Sequence, residues 1–155
     1  MAVSITIVTQ SEKAELRKLL ADHLATMNAY ADVGPDYRFF DLYWTETQTR
    51  WPFWICRDGA IAGFALINTW SPSGLGTDYS MAEFYIVPEA RRQGLGAQAL
   101  LALTQQHPGR WEFGVLEKNA PALAFWPKAI AAAGARDVAT TSRGNQIIYR
   151  FLITS

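Results

Sequence analysis

Cys56 is the only cysteine in this 155-residue chain, so no internal disulfide can staple the fold. Neither it nor the two histidines, His23 and His107, stand at a metal-ligand spacing, which leaves metal and thiol chemistry without a ligand set. Net charge is missing as well: 14 Lys and Arg balance 14 Asp and Glu. No broad positive field exists to gather nucleic acid or an anionic membrane, so electrostatic recognition has to be local. No apolar run approaches the roughly 20 residues that cross a bilayer, and no basic stretch followed by an apolar one opens the chain. The expected location is the cytoplasm.

What the chain does have is apolar material. Half of its residues are hydrophobic and 18% are charged, enough to bury a core in one domain over residues 1–155. Val3 to Val8 reads as a strand. Thr9 and Glu12 form a capping-box pair ahead of the helical stripe Leu16, Leu19, Leu20, Leu24 and Met27, which fades near Gly34-Pro35. The aromatic cluster of Tyr37 to Trp44 follows as a short helix or ordered loop. Phe53 to Arg57 and Ala60 to Thr69 make a hairpin across Asp58-Gly59, because that pair supplies the positive φ angles a tight turn needs. After a Gly/Ser/Pro-rich loop, Met81 to Val87 adds a strand.

A helix over Leu95 to Leu103, closed by His107-Pro108-Gly109, then leads to a strand over Trp111 to Leu116. Ala122, Phe125, Trp126, Ala129, Ile130 and Ala133 restore the helical period before Gly134. Arg136 to Thr141 and Gln146 to Ile153 form a last hairpin. The order predicts an α+β fold: a mixed, mostly antiparallel central sheet with one strand-helix-strand crossover and flanking helices.

The segment that carries chemistry is Glu83-Phe84-Tyr85-Ile86-Val87-Pro88-Glu89-Ala90-Arg91-Arg92-Gln93-Gly94-Leu95-Gly96-Ala97. A strand enters a glycine-containing loop and then a helix, whose first N–H groups lack internal acceptors and, with the helix dipole, favour a phosphate. The missing Cβ atoms of Gly94 and Gly96 would let a pyrophosphate approach the backbone, and Arg91 and Arg92 add positive charge. A nucleoside-triphosphate loop is excluded, since no Lys-Ser or Lys-Thr pair follows the glycines. A dinucleotide fingerprint is met formally by Gly94, Gly96 and Ala99, with Glu117 about 20 residues on. Pro88 to Gln93 nevertheless separate strand from glycine, and the chain offers a single crossover.

These residues resemble the GNAT superfamily of acyl-CoA N-acyltransferases, whose signature of Arg or Gln, two residues, Gly, one residue and Gly or Ala is matched by Arg91, Gly94 and Gly96 behind Val87. Asn119 to Trp126 is similar to the family's later element, an Asn heading a helix with an aromatic pair beyond it. The resemblance covers nearly the whole chain and implies a single-domain GNAT-like fold, with acetyl-CoA as cosubstrate and no metal. It implies that the backbone of Tyr85, Ile86 and Val87 pairs with the pantetheine arm. Arg92, Gln93, Gly94, Leu95, Gly96 and Ala97 would cradle the pyrophosphate, and Asn119 would touch the cofactor arm. The thioester would enter a slot where the strands ending at Val87 and Leu116 splay. The acceptor would be a small-molecule or peptide amine, with neither nucleic acid nor membrane as partner and a homodimer permitted.

Two residues are the catalytic candidates. Glu83, on the cofactor strand, is either the base that takes the amine proton or a strand-edge carboxylate in an ion pair. Trp126 stands where most family members carry a tyrosine that protonates the leaving thiolate, and an indole is no useful proton source. Pro127, next to it, is expected to kink or divide the helix. Backbone N–H groups of Ile86 or Val87 are candidates to receive charge on the thioester oxygen, and Tyr149 is an alternative hydroxyl. Glu112 and Glu117 read as solvated surface charges, His23 as a structural histidine and His107 as part of a helix end. Tyr43 and Trp44 are the expected acceptor-pocket residues, within an aromatic stretch that otherwise packs. The competing functions are a coenzyme A-binding sensor without turnover and a nicotinamide-binding protein.

Overall fold

The structure, a computed structural model, describes residues 2–34 and 36–155. In chain order the elements are β1 (Val3–Ile7), α1 (Lys13–Met27), β2 (Arg50–Arg57), β3 (Ala60–Asn68), β4 (Tyr79–Ile86), α2 (Leu95–Gln106), β5 (Gly109–Leu116), α3 (Ala120–Ala132), β6 (Arg136–Arg143) and β7 (Gln146–Ile153). The strands form one seven-stranded sheet in the order β1-β2-β3-β4-β5-β7-β6. Only the β4/β5 pair is parallel among the pairings described. The expected mixed, mostly antiparallel α+β architecture is thus the observed one, with β4-α2-β5 as the crossover between neighbouring strands.

Local chemistry accounts for most boundaries. Glu12 reaches back to the Thr9 N–H at 3.0 Å, and the chain makes one 3-10 turn at Gln10–Glu12 before α1. Asn28 stops that helix by accepting the Val33 N–H on Oδ1 at 3.0 Å. The stop therefore comes ahead of the Gly34-Pro35 signal, whose proline lies outside the described residues. At the β2/β3 turn Asp58 and Gly59 take φ of 51° and 83°, the geometry a two-residue hairpin requires.

The sheet is covered on both faces. Leu16, Leu20 and Leu24 of α1 pack with Trp54, Phe64, Leu66 and Tyr85 on one side. Leu95, Leu100 and Leu103 of α2 pack with Trp126 and Ile130 of α3, Ile55, Trp111 and Phe113 on the other. α3 runs undivided across Pro127, contrary to the expected division. Proline removes one i→i−4 bond, but Trp126, Ala129 and Ile130 on either side of it are buried, and that packing holds the helix together.

Glu112 corrects a second expectation. It is not a surface charge but fully buried, ion-paired with Arg150 directly across the β5/β7 ladder. Its carboxylate also accepts from Ser71 Oγ and the Ser73 N–H, both at 2.9 Å, while Arg150 donates to the Gly76 carbonyl at 2.6 Å. The pair thereby ties the loop between β3 and β4 to the far half of the sheet. Removing one partner of such a pair strands the other charge, which costs about 3–5 kcal/mol. Arg150→Ala should therefore lose roughly 3 kcal/mol of unfolding free energy in urea titration. A loss below about 1 kcal/mol would mean that the loop is anchored by its backbone contacts instead.

Candidate active site

The site begins where β4 and β5 part. Their parallel register comprises only Tyr79↔Trp111 and Ser80↔Glu112; beyond it the strands diverge, β4 toward Ile86 and β5 toward Leu116. A cavity of about 770 Å³ opens between them, bounded by β4, β5, the head of α2, the face of α3 and, through the sheet, α1.

Backbone polarity along β4 follows from one bond. The Val87 N–H donates to the Ala62 carbonyl at 2.9 Å, and main-chain groups alternate sides along a strand, so the N–H groups of Phe84 and Ile86 point toward the gap. Val87 N–H, an expected recipient of oxygen charge, is thus already committed. Gly63, paired with Ile86, is needed for this close approach, because a Cβ there would meet the Tyr85 carbonyl oxygen at 2.0 Å.

A β-bulge immediately precedes Glu83. The β3/β4 register passes from Leu66↔Glu83 to Ile67↔Met81, leaving Ala82 as an extra residue. Ala82 and Glu83 consequently both face α1, whereas Met81 and Phe84 face α2 and α3. Glu83 Oε1 lies 2.9 Å from His23 Nε2, and its Oε2 accepts from the Tyr37 hydroxyl at 3.3 Å. Burial first, and the Glu83 charge second, push the Tyr37 phenol well above its ordinary pKa, so it remains a protonated donor. His23 is wedged against the rings of Phe64 and Tyr85, at centroid distances of 5.9 and 5.4 Å. Expected to be structural, it is buried but lines the cavity. Its sequence signal was a polar side chain inside the stripe of Leu16, Leu20 and Leu24.

The opposite wall is aromatic. Trp126 packs on Phe84, Phe113 and Phe125 at centroid distances of 5.0, 4.7 and 4.8 Å and lines the cavity. Tyr149 stacks behind Phe113 and is not among the lining residues. Asn119 caps α3, its Oδ1 accepting from the Ala122 N–H at 3.2 Å, and also lines the cavity.

At the entrance to α2, Arg92 and Gly94 take φ of 64° and 76°, in the turn that leads into the helix beside the cavity. Gly94 has open space where a Cβ would be, but Gly96 does not: a Cβ there would lie 2.8 Å from Phe125 Cζ. Gly96 therefore lets α2 approach α3, which differs from the role expected of it. Arg91 is tethered, Nε donating to the Ile86 carbonyl at 2.7 Å with its guanidinium over the Tyr85 ring. Gln93 accepts from Arg57. Arg92, Gly94, Leu95 and Gly96 line the cavity, while Gln93, Ala97 and Val87 adjoin it without doing so.

Tyr43 and Trp44, the expected acceptor residues, do not line the cavity. Tyr43 is buried, with its hydroxyl accepting from Asn68 Nδ2 at 3.1 Å, and the Trp44 indole donates to the Val8 carbonyl at 3.1 Å. Their polar ends are satisfied inside the α1-side core. The place expected of them is taken by Leu24, Met27, Tyr30, Val33 and Tyr37, from the end of α1 and the segment after it.

Comparison with known proteins follows the same geometry. The Acetyltransferase (GNAT) family model matches residues 16–130, and no curated protein matches by sequence. Among solved structures, an acetyltransferase from Thermus thermophilus superposes with a TM-score of 0.71 at 19% identity, covering 97% of this chain and 96% of that one. The PaiA N-acetyltransferase from Thermoplasma acidophilum, in complex with coenzyme A, gives 0.63 at 13%, covering 98% and 99%. Aminoglycoside acetyltransferase AAC(6')-Ib, also with coenzyme A, gives 0.70 at 14%, covering 98% and 95%.

The Gly96/Phe125 contact is testable without a ligand. Gly96→Ala should destabilise by about 1–2 kcal/mol through overpacking, despite the better helix propensity of alanine. In the double variant with Phe125→Leu at least half of that should be recovered, giving a coupling near 1 kcal/mol in a urea-unfolding cycle. Strictly additive effects would deny that the two helices meet at this point.

Proposed function

This chain belongs to the acetyltransferase (GNAT) family, and we propose that it is an N-acetyltransferase that moves an acetyl group from acetyl-coenzyme A to a primary amine by direct attack on the thioester. The observation that carries the reading is the gap between β4 and β5. It connects a helix head rich in unpaired N–H groups to a carboxylate held on the α1 side of the sheet. The residues present suit a pyrophosphate-bearing thioester: open space at Gly94, the α2 head, and the flanking Arg92.

In this reading the Arg92 to Ala97 segment holds the pyrophosphate. The gap-facing main chain of β4 at Phe84 pairs with the pantetheine arm, and Asn119 contacts it from the head of α3. Coenzyme A supplies the acetyl group as a thioester, whose C–S bond breaks as the new C–N bond forms, the sulfur leaving as thiolate. Glu83 takes a proton from the incoming ammonium, freeing the nitrogen lone pair; a second proton is lost as the amide forms, and one returns to the thiolate, so one proton is released net. His23 and Tyr37 fix one carboxylate oxygen each, which holds Glu83 in one orientation. The Ile86 N–H receives charge on the carbonyl oxygen in this reading. Trp126 walls the slot and excludes water, with no acidic side chain at its position.

A sensor that binds coenzyme A without turnover is the second reading, favoured only by the indole at position 126. Thiol release from acetyl-CoA across an amine panel separates the two. We expect calorimetry to find coenzyme A binding, and Glu83→Gln to lower thiol release about 10²–10⁴-fold at neutral pH with affinity for coenzyme A nearly unchanged. Trp126→Phe should keep most of the activity. An unaltered rate in Glu83→Gln would remove the base assignment, and binding without turnover by the unaltered protein would establish the sensor.

A further inference from the structure

The cavity does not end at Glu83. On the α1 side of the sheet it continues between Leu24, Met27, Tyr30, Val33, Tyr37 and Ala82. These walls are apolar or aromatic apart from Thr26, and among the described residues the charged or titratable groups lining this part of the cavity, besides the Tyr phenols, are Glu83 and its partner His23. Among all the described residues that line the cavity, Glu83 is the single carboxylate; the cations are Arg92, before α2, and Arg91, whose guanidinium is held over the Tyr85 ring by the Ile86 carbonyl. Asp22, Asp32 and Asp36 belong to the same segments, yet they do not line it.

One carboxylate at the mouth of an apolar chamber selects by charge number. An amine with a single ammonium can place that charge on Glu83 and bury its carbon body against the chamber. A substrate with several ammonium groups would have to bring the others into the same walls without partners, which is strongly unfavourable. A longer acyl chain on the donor would also fill an apolar chamber, but it would leave Glu83 facing hydrocarbon. Resting on the acetyl-transfer reading above, we propose that the acceptor is a primary monoamine with an apolar or aromatic body, seated against Leu24, Met27, Tyr30 and Val33 with its nitrogen at Glu83.

The test compares kcat/KM for 2-phenylethylamine and hexylamine with that for spermidine and kanamycin, using acetyl-CoA and reading thiol release. The monoamines should be preferred by at least about tenfold, the ratio that one unpaired buried ammonium readily exceeds. Val33→Asp, which adds a second carboxylate to the chamber, should shift the ratio toward spermidine by about tenfold or more while leaving coenzyme A affinity as it was. Preference for spermidine or kanamycin in the unaltered protein would overturn the proposal while leaving acetyl transfer intact. So would a clear preference for hexanoyl-CoA over acetyl-CoA, since the chamber would then hold the acyl chain. If no amine is acetylated, the acetyl-transfer reading fails separately, and calorimetry on the coenzyme A-saturated protein reads the chamber directly. Binding of 2-phenylethylamine that is weakened about tenfold by Glu83→Gln would support the proposal, and spermidine binding more tightly than 2-phenylethylamine, or neither binding, would overturn it.

Discussion

The parallel register of β4 and β5 comprises two residue pairs, and most of what this protein can do depends on that brevity. A parallel pair continued along both strands would have satisfied the gap-facing main chain of Phe84 and Ile86 and closed the sheet. By stopping at Ser80 and Glu112 the ladder leaves those groups turned into a cavity, between one helix head and the aromatic face of another helix. The closed end has to be firm for the open end to be a fixed shape. That firmness comes from the buried Glu112 and Arg150, which clamp the β3/β4 loop onto the far strands just where the pairing ends.

A second constraint is the single extra residue in β4. Side chains alternate along a strand, but the extra residue puts Ala82 and Glu83 on one face, with Glu83 opposite Leu66 and toward His23 and Tyr37. Glu83 thus stands on the α1 side while Met81 and Phe84 face the aromatic wall, and the cavity has two chemically different ends. One presents the head of α2 and Arg92, and the other presents one carboxylate in a largely apolar chamber. Donor and acceptor of an acyl-transfer reaction differ in the same sense, the donor anionic at its phosphates and the acceptor cationic at its nitrogen.

The glycines divide these tasks. Gly94 serves the chain path, with a positive φ and open space beside it; Gly96 serves the contact between α2 and α3, with Phe125 against it; Gly63 serves the contact between β3 and β4. A short sequence signature around Gly94 and Gly96 thus records both a cavity-lining turn and a packing requirement.

The order of elements, the sheet class and the glycine loop at the head of α2 were legible in the sequence, because they rest on local rules: period 2 or 3.6, the Asp-Gly turn, the Thr9/Glu12 box and glycine at a strand-to-helix junction. Glu83 was legible as a candidate from its strand. What surrounds it was not. His23 and Tyr37 lie 60 and 46 residues away along the chain, and only the packing of α1 over the bulged strand brings them to it. The same holds for Glu112, whose neighbours Ser71, Ser73 and Arg150 come from other strands and loops, and for Tyr43 and Trp44, whose polar ends were drawn inward by Asn68 and the Val8 carbonyl. The sequence by itself determined the elements and the anion-favouring loop, since those depend on neighbours within a few residues. Which charge is buried, which face a side chain takes after a bulge and which aromatic lines a cavity were decided by contacts between distant segments, and only the tertiary structure contains those.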